Sequence, residues 1–299
     1  MTFFLATGGK LTQSARLLTL SLALSTALTT LQAAPRTPGA DREVLEKLPM
    51  RPGDNTAREL GVLRTALAAS PADANAASAL AQAYFDLAMA RGDPRYVGYA
   101  EAVVTPFDRR MTAELLLVRG QLRQYRHQFE GALADFAEAL RLDPGLAQGH
   151  AWRGAIFLVQ AKYPEVQQEC TALQNLGRDA LAGACLGLLQ AYSGQFQSAQ
   201  ITLQRALQTS PNPESQLWLL TRLGEVAAWR DQGDQAEAHF KAALALDLDD
   251  GYLLAAWSDY LLDAGRPAEV AKLLSSWEAS DGLLLRLAEA ETLLKLPAA

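Results

Sequence analysis

The side chains able to do chemistry are few and scattered. Three histidines, His127, His150 and His239, share no helical i, i+4 spacing and none lies beside a cysteine pair, so zinc-ligand patterns are absent. No glycine-rich loop of the kind that cradles phosphate occurs, and no nucleotide-binding fingerprint. The stretch LGLLQAYSG at 186–194 reads as a helix ending at a turn, not as the strained strand–turn–helix that exposes a nucleophilic serine. The acid pairs Asp249–Asp250 and Asp259–Asp263 read as solvated surface, the usual state of carboxylates. We therefore expect no catalytic residue, no metal site and no cofactor, and read the chain as a binding protein.

The two cysteines, Cys170 and Cys185, are too far apart for a redox-active CxxC. They are open to two readings. One is a disulfide, favoured if the chain is exported. The other is a pair of buried thiols behaving as small apolar groups.

Composition defines what must position these residues. Of 299 residues, 49% are hydrophobic and only 7% aromatic, and alanine and leucine dominate the apolar set. That mixture suits close helix–helix packing, and strand-forming residues are scarce. The net charge of −6 argues against a phosphate-backbone partner, which needs clustered cations. Residues 231–299 carry 13 acids against 5 bases. That acidic end is either a solvated face or a docking surface for a basic partner.

The N-terminus has the form of a secretory signal. In LTQSARLLTLSLALSTALTTLQAA (11–34), Arg16 precedes an uncharged apolar stretch and then small residues. The stretch is too short to span a bilayer as a helix. We expect cleavage after Ala33, hence residues 1–33 as signal peptide, 34–55 as a Pro- and Gly-rich linker, and a periplasmic or secreted location.

The rest repeats. A column of small residues at Gly120, Gly154, Gly187 and Gly224 steps by 34, 33 and 37 residues. Ala132, Val166, Ala199 and Ala236 step identically. So do Phe136, Cys170, Leu203 and Phe240, and then Ala139, Leu173, Ala206 and Ala243. A fifth unit follows with Ser258, Val270, Leu274 and Trp277, and an earlier one begins at Ala81, 39 residues before Gly120. The last three columns, spaced by four and then three, share one helical face. Gly194, Gly233 and Gly265 fall at the expected turns between helices, and Pro144 and Pro211 end units.

These units resemble the tetratricopeptide repeat, most clearly in ADFAEALRLDP (134–144) and AEAHFKAALALDLDD (236–250). The resemblance covers roughly residues 56–280. It departs from the family at Arg119 and Arg153, where leucine is usual, and at Leu248, where proline is expected. It departs again at 91–104 (RGDPRYVGYAEAVV), which reads as an insertion in the first unit. The resemblance implies an all-α, right-handed superhelical solenoid over 56–299, with about six antiparallel helix pairs and a capping helix at Leu283–Lys295. It also implies that the first helix of each pair lines a concave groove that holds a protein or peptide partner. Projected onto that groove are Gln121 and Tyr125, Gln148 and Trp152, Leu188 and Tyr192, then Trp218, Arg222, Glu225 and Trp229, and finally Tyr252 and Asp259. Asn75, Gln82 and Asp86 belong to the first unit. Trp218, Arg222, Glu225 and Trp229 form the strongest cluster, since tryptophan and arginine are enriched at binding hot spots. Both tryptophans are equally open to packing between helices. The strip Ala151, Ala155, Leu158, Leu188 and Ala191 suits either a hydrophobic segment or the inter-repeat core. The alternative function is a carrier of a non-protein envelope ligand.

Overall fold

The computed structural model describes residues 55–295, apart from 211, 249, 278 and 279. The signal peptide and nearly all of the linker read from the sequence lie outside those residues. The described chain is α-helical throughout, without a strand: α1 (Asn55–Ala69), α2 (Ala74–Arg91), α3 (Arg95–Val104), α4 (Ala113–Tyr125), α5 (Phe129–Leu142), α6 (Ala147–Val159), α7 (Tyr163–Asn175), α8 (Asp179–Tyr192), α9 (Phe196–Gln208), α10 (Pro213–Trp229), α11 (Gly233–Leu244), α12 (Gly251–Asp263), α13 (Pro267–Leu274) and α14 (Asp281–Lys295). Helices α2 to α13 form six consecutive hairpins, α1 leads into the first, and α14 packs on the last. No helix among the described residues is long and apolar enough to cross a membrane.

The repeat columns are where the helices of each hairpin touch. A Cβ placed on Gly120 would stand 2.4 Å from the Phe136 ring, and one on Gly224 would stand 2.6 Å from the Phe240 ring. On Gly187 it would meet Leu203 at 2.6 Å. Only glycine therefore admits these crossings, and the large knobs that fill them are fully buried. The alanine columns at 132, 199, 236, 139, 206 and 243 are buried to 0–3% exposure, as close backbone approach requires.

The two family departures at arginine are explained by paired charges inside the hairpin. Arg119 on α4 donates to Asp135 on α5 through two hydrogen bonds of 3.0 and 2.7 Å, and Arg123 adds a third at 2.7 Å. One hairpin later, Glu169 on α7 lies 3.0 Å from Arg153 and 2.6 Å from His150 Nδ1, both on α6. Each carboxylate is buried and each arginine only partly so, which keeps the charge satisfied where leucine would otherwise pack.

Turns repeat in the same register as the columns. His127, Ala161, Gly194, Asp231 and Gly265 all adopt positive φ, between 55° and 80°. Each follows the same pair of hydrogen bonds, for example His127 N–H to Gln124 O (2.9 Å) and Gln128 N–H to Arg123 O (2.8 Å). This is the Schellman closure of a helix C-terminus. It corrects one reading: Gly233 is not the turn residue but the first residue of α11, and Asp231 takes the left-handed position.

The segment 91–104 is also reassigned. It is not an insertion but the turn and second helix of the first hairpin. The excess length between Ala81 and Gly120 sits in α2, which has 18 residues where α4 has 13. Likewise the 37-residue step before Gly224 sits in α10, which has 17 residues. In the last hairpin α13 stops at Leu274, so Trp277 lies beyond the helix it was assigned to and packs partly buried on the C-terminal core.

The long α2 has a consequence for the shape. Its C-terminal end meets the N-terminal end of α12, so that a Cβ on Gly251 would stand 3.5 Å from the carbonyl oxygen of Ala90. A Cβ on Gly92 would likewise meet Ser280 at 3.0 Å. The first and last hairpins thus touch, and the contact sets the carbonyl end of one helix against the amide end of another, a favourable alignment of helix dipoles.

Between α11 and α13, Glu237 accepts from Lys241 at 2.7 Å and from Arg266, which also pairs with Glu269 at 2.6 Å. Hydrogen bonds from Arg266 and then Lys241 hold the Glu237 carboxyl down at about 2. A carboxylate depressed in the folded state stabilises it above the ordinary value of 4.5, and that contribution is lost as pH falls through about 2. The network is partly exposed and screened, so we expect a loss below about 1 kcal/mol between those limits. Carbon-detected titration of Glu237 should give a depressed midpoint; an ordinary one would remove this tie.

Candidate binding groove

The inner helices α2, α4, α6, α10 and α12 enclose a groove of about 880 Å³. Four of these five N-termini are set by side-chain caps: Asp73 on α2, Thr112 on α4, Asn212 on α10 and Asp250 on α12 each accept from an amide of the first turn. The groove walls carry four aromatic rings, Phe85, Trp152, Trp218 and Tyr252, together with Leu117, Val118 and Met89. Phe85 meets Trp152 edge-on at 5.8 Å, joining α2 to α6 across α4.

The strongest projected cluster is divided by the structure. Trp218 and Arg222 face the groove. The Arg222 guanidinium lies 5.1 Å from the Trp218 ring centroid and 4.0 Å from that of Tyr252. It donates to Glu225 at 2.8 Å and to the Tyr252 hydroxyl, and that hydroxyl donates to Glu225 at 2.5 Å. Burial works against the arginine's charge, but Glu225 and Tyr252 more than offset it and the group is held more firmly protonated than usual. Burial also pushes the Tyr252 hydroxyl up. Arg222 is thus an internally neutralised strut between α10 and α12, with its Nε buried and without a partner among the described residues. Trp229 lies 11 residues beyond Trp218 on α10, about 16 Å along a helix. It opens onto a separate depression of about 440 Å³, shared with Glu225 and Asp259. There it packs edge-on against Tyr192 at 5.7 Å and remains half exposed. Asp259 is bound by Arg286 of α14 through two 2.6 Å bonds.

The other projected residues separate similarly. Gln121, Gln148, Trp152, Tyr252, Gln82 and Asp86 line the groove. Gln121 forms its floor at 1% exposure, and its Oε1 has no hydrogen-bond partner among the described residues. Asn75 lies in the first turn of α2, where its amide is held by the Asp73 cap. Tyr125 packs into the N-terminal core instead. Leu188 is partly buried and lines a small apolar pocket of about 100 Å³, separate from the groove, with Ala151, Ala155, Leu158 and one side of Trp218. Ala191 is core at 2% exposure.

Three groove carboxylates were not projected: Glu114, Glu214 and Asp250. A signal for two of them existed. Glu214, Trp218 and Arg222 are spaced by four, so one more turn of the same face reaches Glu214. Glu114 stands seven before Gln121. With Asp86 these make four groove acids, and none has an ion-pair partner among the described residues. Burial pushes the Asp86 carboxyl up, against a 2.8 Å hydrogen bond from Gln82.

Cys170 on α7 and Cys185 on α8 are joined in the structure, with Cα atoms 5.4 Å apart. The Cys185 sulfur occupies the space beside Gly154, 3.6 Å from where a Cβ there would stand. No group of histidine, cysteine and acidic side chains among the described residues is placed to hold a metal ion.

Six hairpins with columned crossings and an inner-helix groove define the tetratricopeptide-repeat fold, and solved structures agree. A tetratricopeptide repeat protein from Parabacteroides merdae is similar over 79% of this chain and 92% of its own, with TM-score 0.53 at 14% identity. A chain of the APC/C hetero-tetramer Cut9–Hcn1 is similar over 81% of this chain and 47% of its own, with TM-score 0.57 at 17% identity. A thermophilic protein of the same repeat class from Thermus thermophilus is similar over 60% of this chain and all of its own, with TM-score 0.52 at 23% identity. No family model and no curated protein sequence matches the chain.

Proposed function

We propose that this protein is a non-enzymatic interaction scaffold of the cell envelope, which holds a segment of another protein in the groove of its solenoid. The observation that carries the reading is the groove itself. Inner helices of five hairpins contribute aromatic anchors and polar groups to one concavity of about 880 Å³, a size suited to a bound ligand segment. The bond between Cys170 and Cys185 supports an oxidising compartment, in keeping with the signal-like N-terminus. Contact between the first and last hairpins, which narrows access to the groove, favours the alternative of a carrier for a non-protein ligand. Four carboxylates in the wall, without ion-pair partners among the described residues, fit a lipid poorly, so the protein partner is preferred.

Photo-crosslinking tests this. A photoreactive residue at exposed Gln148 or Glu214 should capture one protein species in envelope extract, and one at Arg141 on the outer helix α5 should not. Equal capture from both faces, or none from the groove, would defeat the scaffold reading. The mature protein should begin near Ala34, and a full-length chain recovered from the cytoplasm would defeat the envelope reading.

A further inference from the structure

The groove's chemistry is one-sided. Asp86, Glu114, Glu214 and Asp250 approach it from α2, α4, α10 and the N-cap of α12, and none has an ion-pair partner among the described residues. The single cation in the wall among the described residues, Arg222, is already neutralised by Glu225. Aromatic rings at Phe85, Trp152, Trp218 and Tyr252 line the same space. Carboxylates beside aromatic faces are the surroundings that favour an organic cation, through charge and through the ring quadrupole. The floor adds a second, independent sign of an occupant. Gln121 is 1% exposed and its Oε1 accepts nothing, while the nearby wall holds the unpaired Nε donor of Arg222. A buried acceptor and a buried donor left unmade are costly. An extended peptide backbone supplies the complement of each, one N–H and one C=O per residue.

We propose that the groove is a receptor for an extended, basic peptide segment, whose lysine or arginine side chains lie among the four carboxylates and against the aromatic rings. This rests on the scaffold reading above and narrows the partner's chemistry. Glu114 and Glu214 also sit in the first turns of their helices, where an acid suits the helix dipole without any ligand. The test must therefore read binding and not stability alone.

The probes are short labelled peptides of three kinds, alternating leucine with lysine, with serine or with glutamate, measured by fluorescence polarisation on the full-length mature protein. The lysine peptide should bind about tenfold more tightly than the serine peptide, and rising salt should erase the difference. The double variant Glu114→Gln, Glu214→Gln should lose about tenfold for the lysine peptide and nothing for the serine peptide. The charge-matched control Asp234→Asn, Glu289→Gln, outside the groove, should behave as the unaltered protein. Melting temperatures taken alongside confirm that each variant is folded. Equal affinity for lysine and serine peptides, preference for glutamate, equal loss in the control, or no binding of the lysine peptide would each overturn the proposal. The scaffold reading would survive any of these as long as groove crosslinks from Gln148 persist, and falls only with them.

Discussion

Replacing Phe240 by alanine should cost about 3–5 kcal/mol, near the top of the range for a single core substitution. The ring is fully buried. It lies over Gly224, which has no side chain to fill the space left behind. It also stacks on Trp257 at 6.0 Å and leans on Tyr260 at 6.0 Å, both on the next inner helix. One side chain therefore closes its own hairpin and docks the following one. In a solenoid each unit depends on its neighbours, so the damage should concentrate at one interface. Urea unfolding should show the loss, and amide exchange should rise first in α10, α11 and α12. The converse substitution is informative. Gly224→Ala removes the usual penalty of a mid-helix glycine, about 1 kcal/mol, yet its methyl would stand 2.6 Å from the ring. Overpacking of about 1–3 kcal/mol should win. A Phe240→Ala loss below about 1 kcal/mol, or a stabilising Gly224→Ala, would mean that the column is not the hairpin's closing contact.

How much of this was legible in the sequence follows from which signals are local. The four columns were readable because a repeat makes the same crossing several times, and Gly120, Gly187 and Gly224 each face the knob sixteen residues on. The left-handed turns were readable only where glycine marks them, at Gly194 and Gly265. His127, Ala161 and Asp231 hold the same conformation without announcing it, and beside Asp231 the nearby Gly233 offers a false turn signal.

The groove was legible in part. Gln121, Gln148, Trp152, Trp218, Arg222 and Tyr252 follow from helical spacing on inner helices and do meet in one cavity. Tyr125 and Leu188 share that spacing, but Tyr125 packs against the N-terminal core and Leu188 lines a separate apolar pocket. What no local pattern carries is the contact of α2 with α12, which joins residues far apart in sequence. The extra residues behind it were visible as a long step between Ala81 and Gly120, but their place inside α2 was not. The charge of Arg222 is a further case. Glu225, three residues on, is within helical reach and does hold it, but the second partner, Tyr252 on another helix, leaves no local trace in the sequence. Arg222→Ala is therefore a poor probe of binding alone, since it would also leave Glu225 without its charge partner.

The cysteine pair should supply about 3 kcal/mol of stability, the value for a closed loop of 15 residues. Two effects meet there. Cys170 stands in the column occupied elsewhere by Phe136, Leu203 and Phe240, and is far smaller than any of them. The space beside Gly154 is filled instead by the sulfur of Cys185, brought over from the next hairpin. The bridge thus replaces a missing knob and cross-links α7 to α8, an outer helix to the following inner one. The double variant Cys170→Ala, Cys185→Ala should lower the melting temperature by about 6–12 °C, at roughly 2–4 °C per kcal/mol for a domain of this size. Amide exchange should rise in α7 and α8 before it rises in α2 or α12. Reduction of the unaltered protein should reproduce the exchange pattern with a smaller shift, because both sulfur atoms still fill the crossing. If reduction and the double variant have equal effects, the cross-link alone matters and the packing argument fails. If neither changes melting or exchange, the bridge does not hold this interface together.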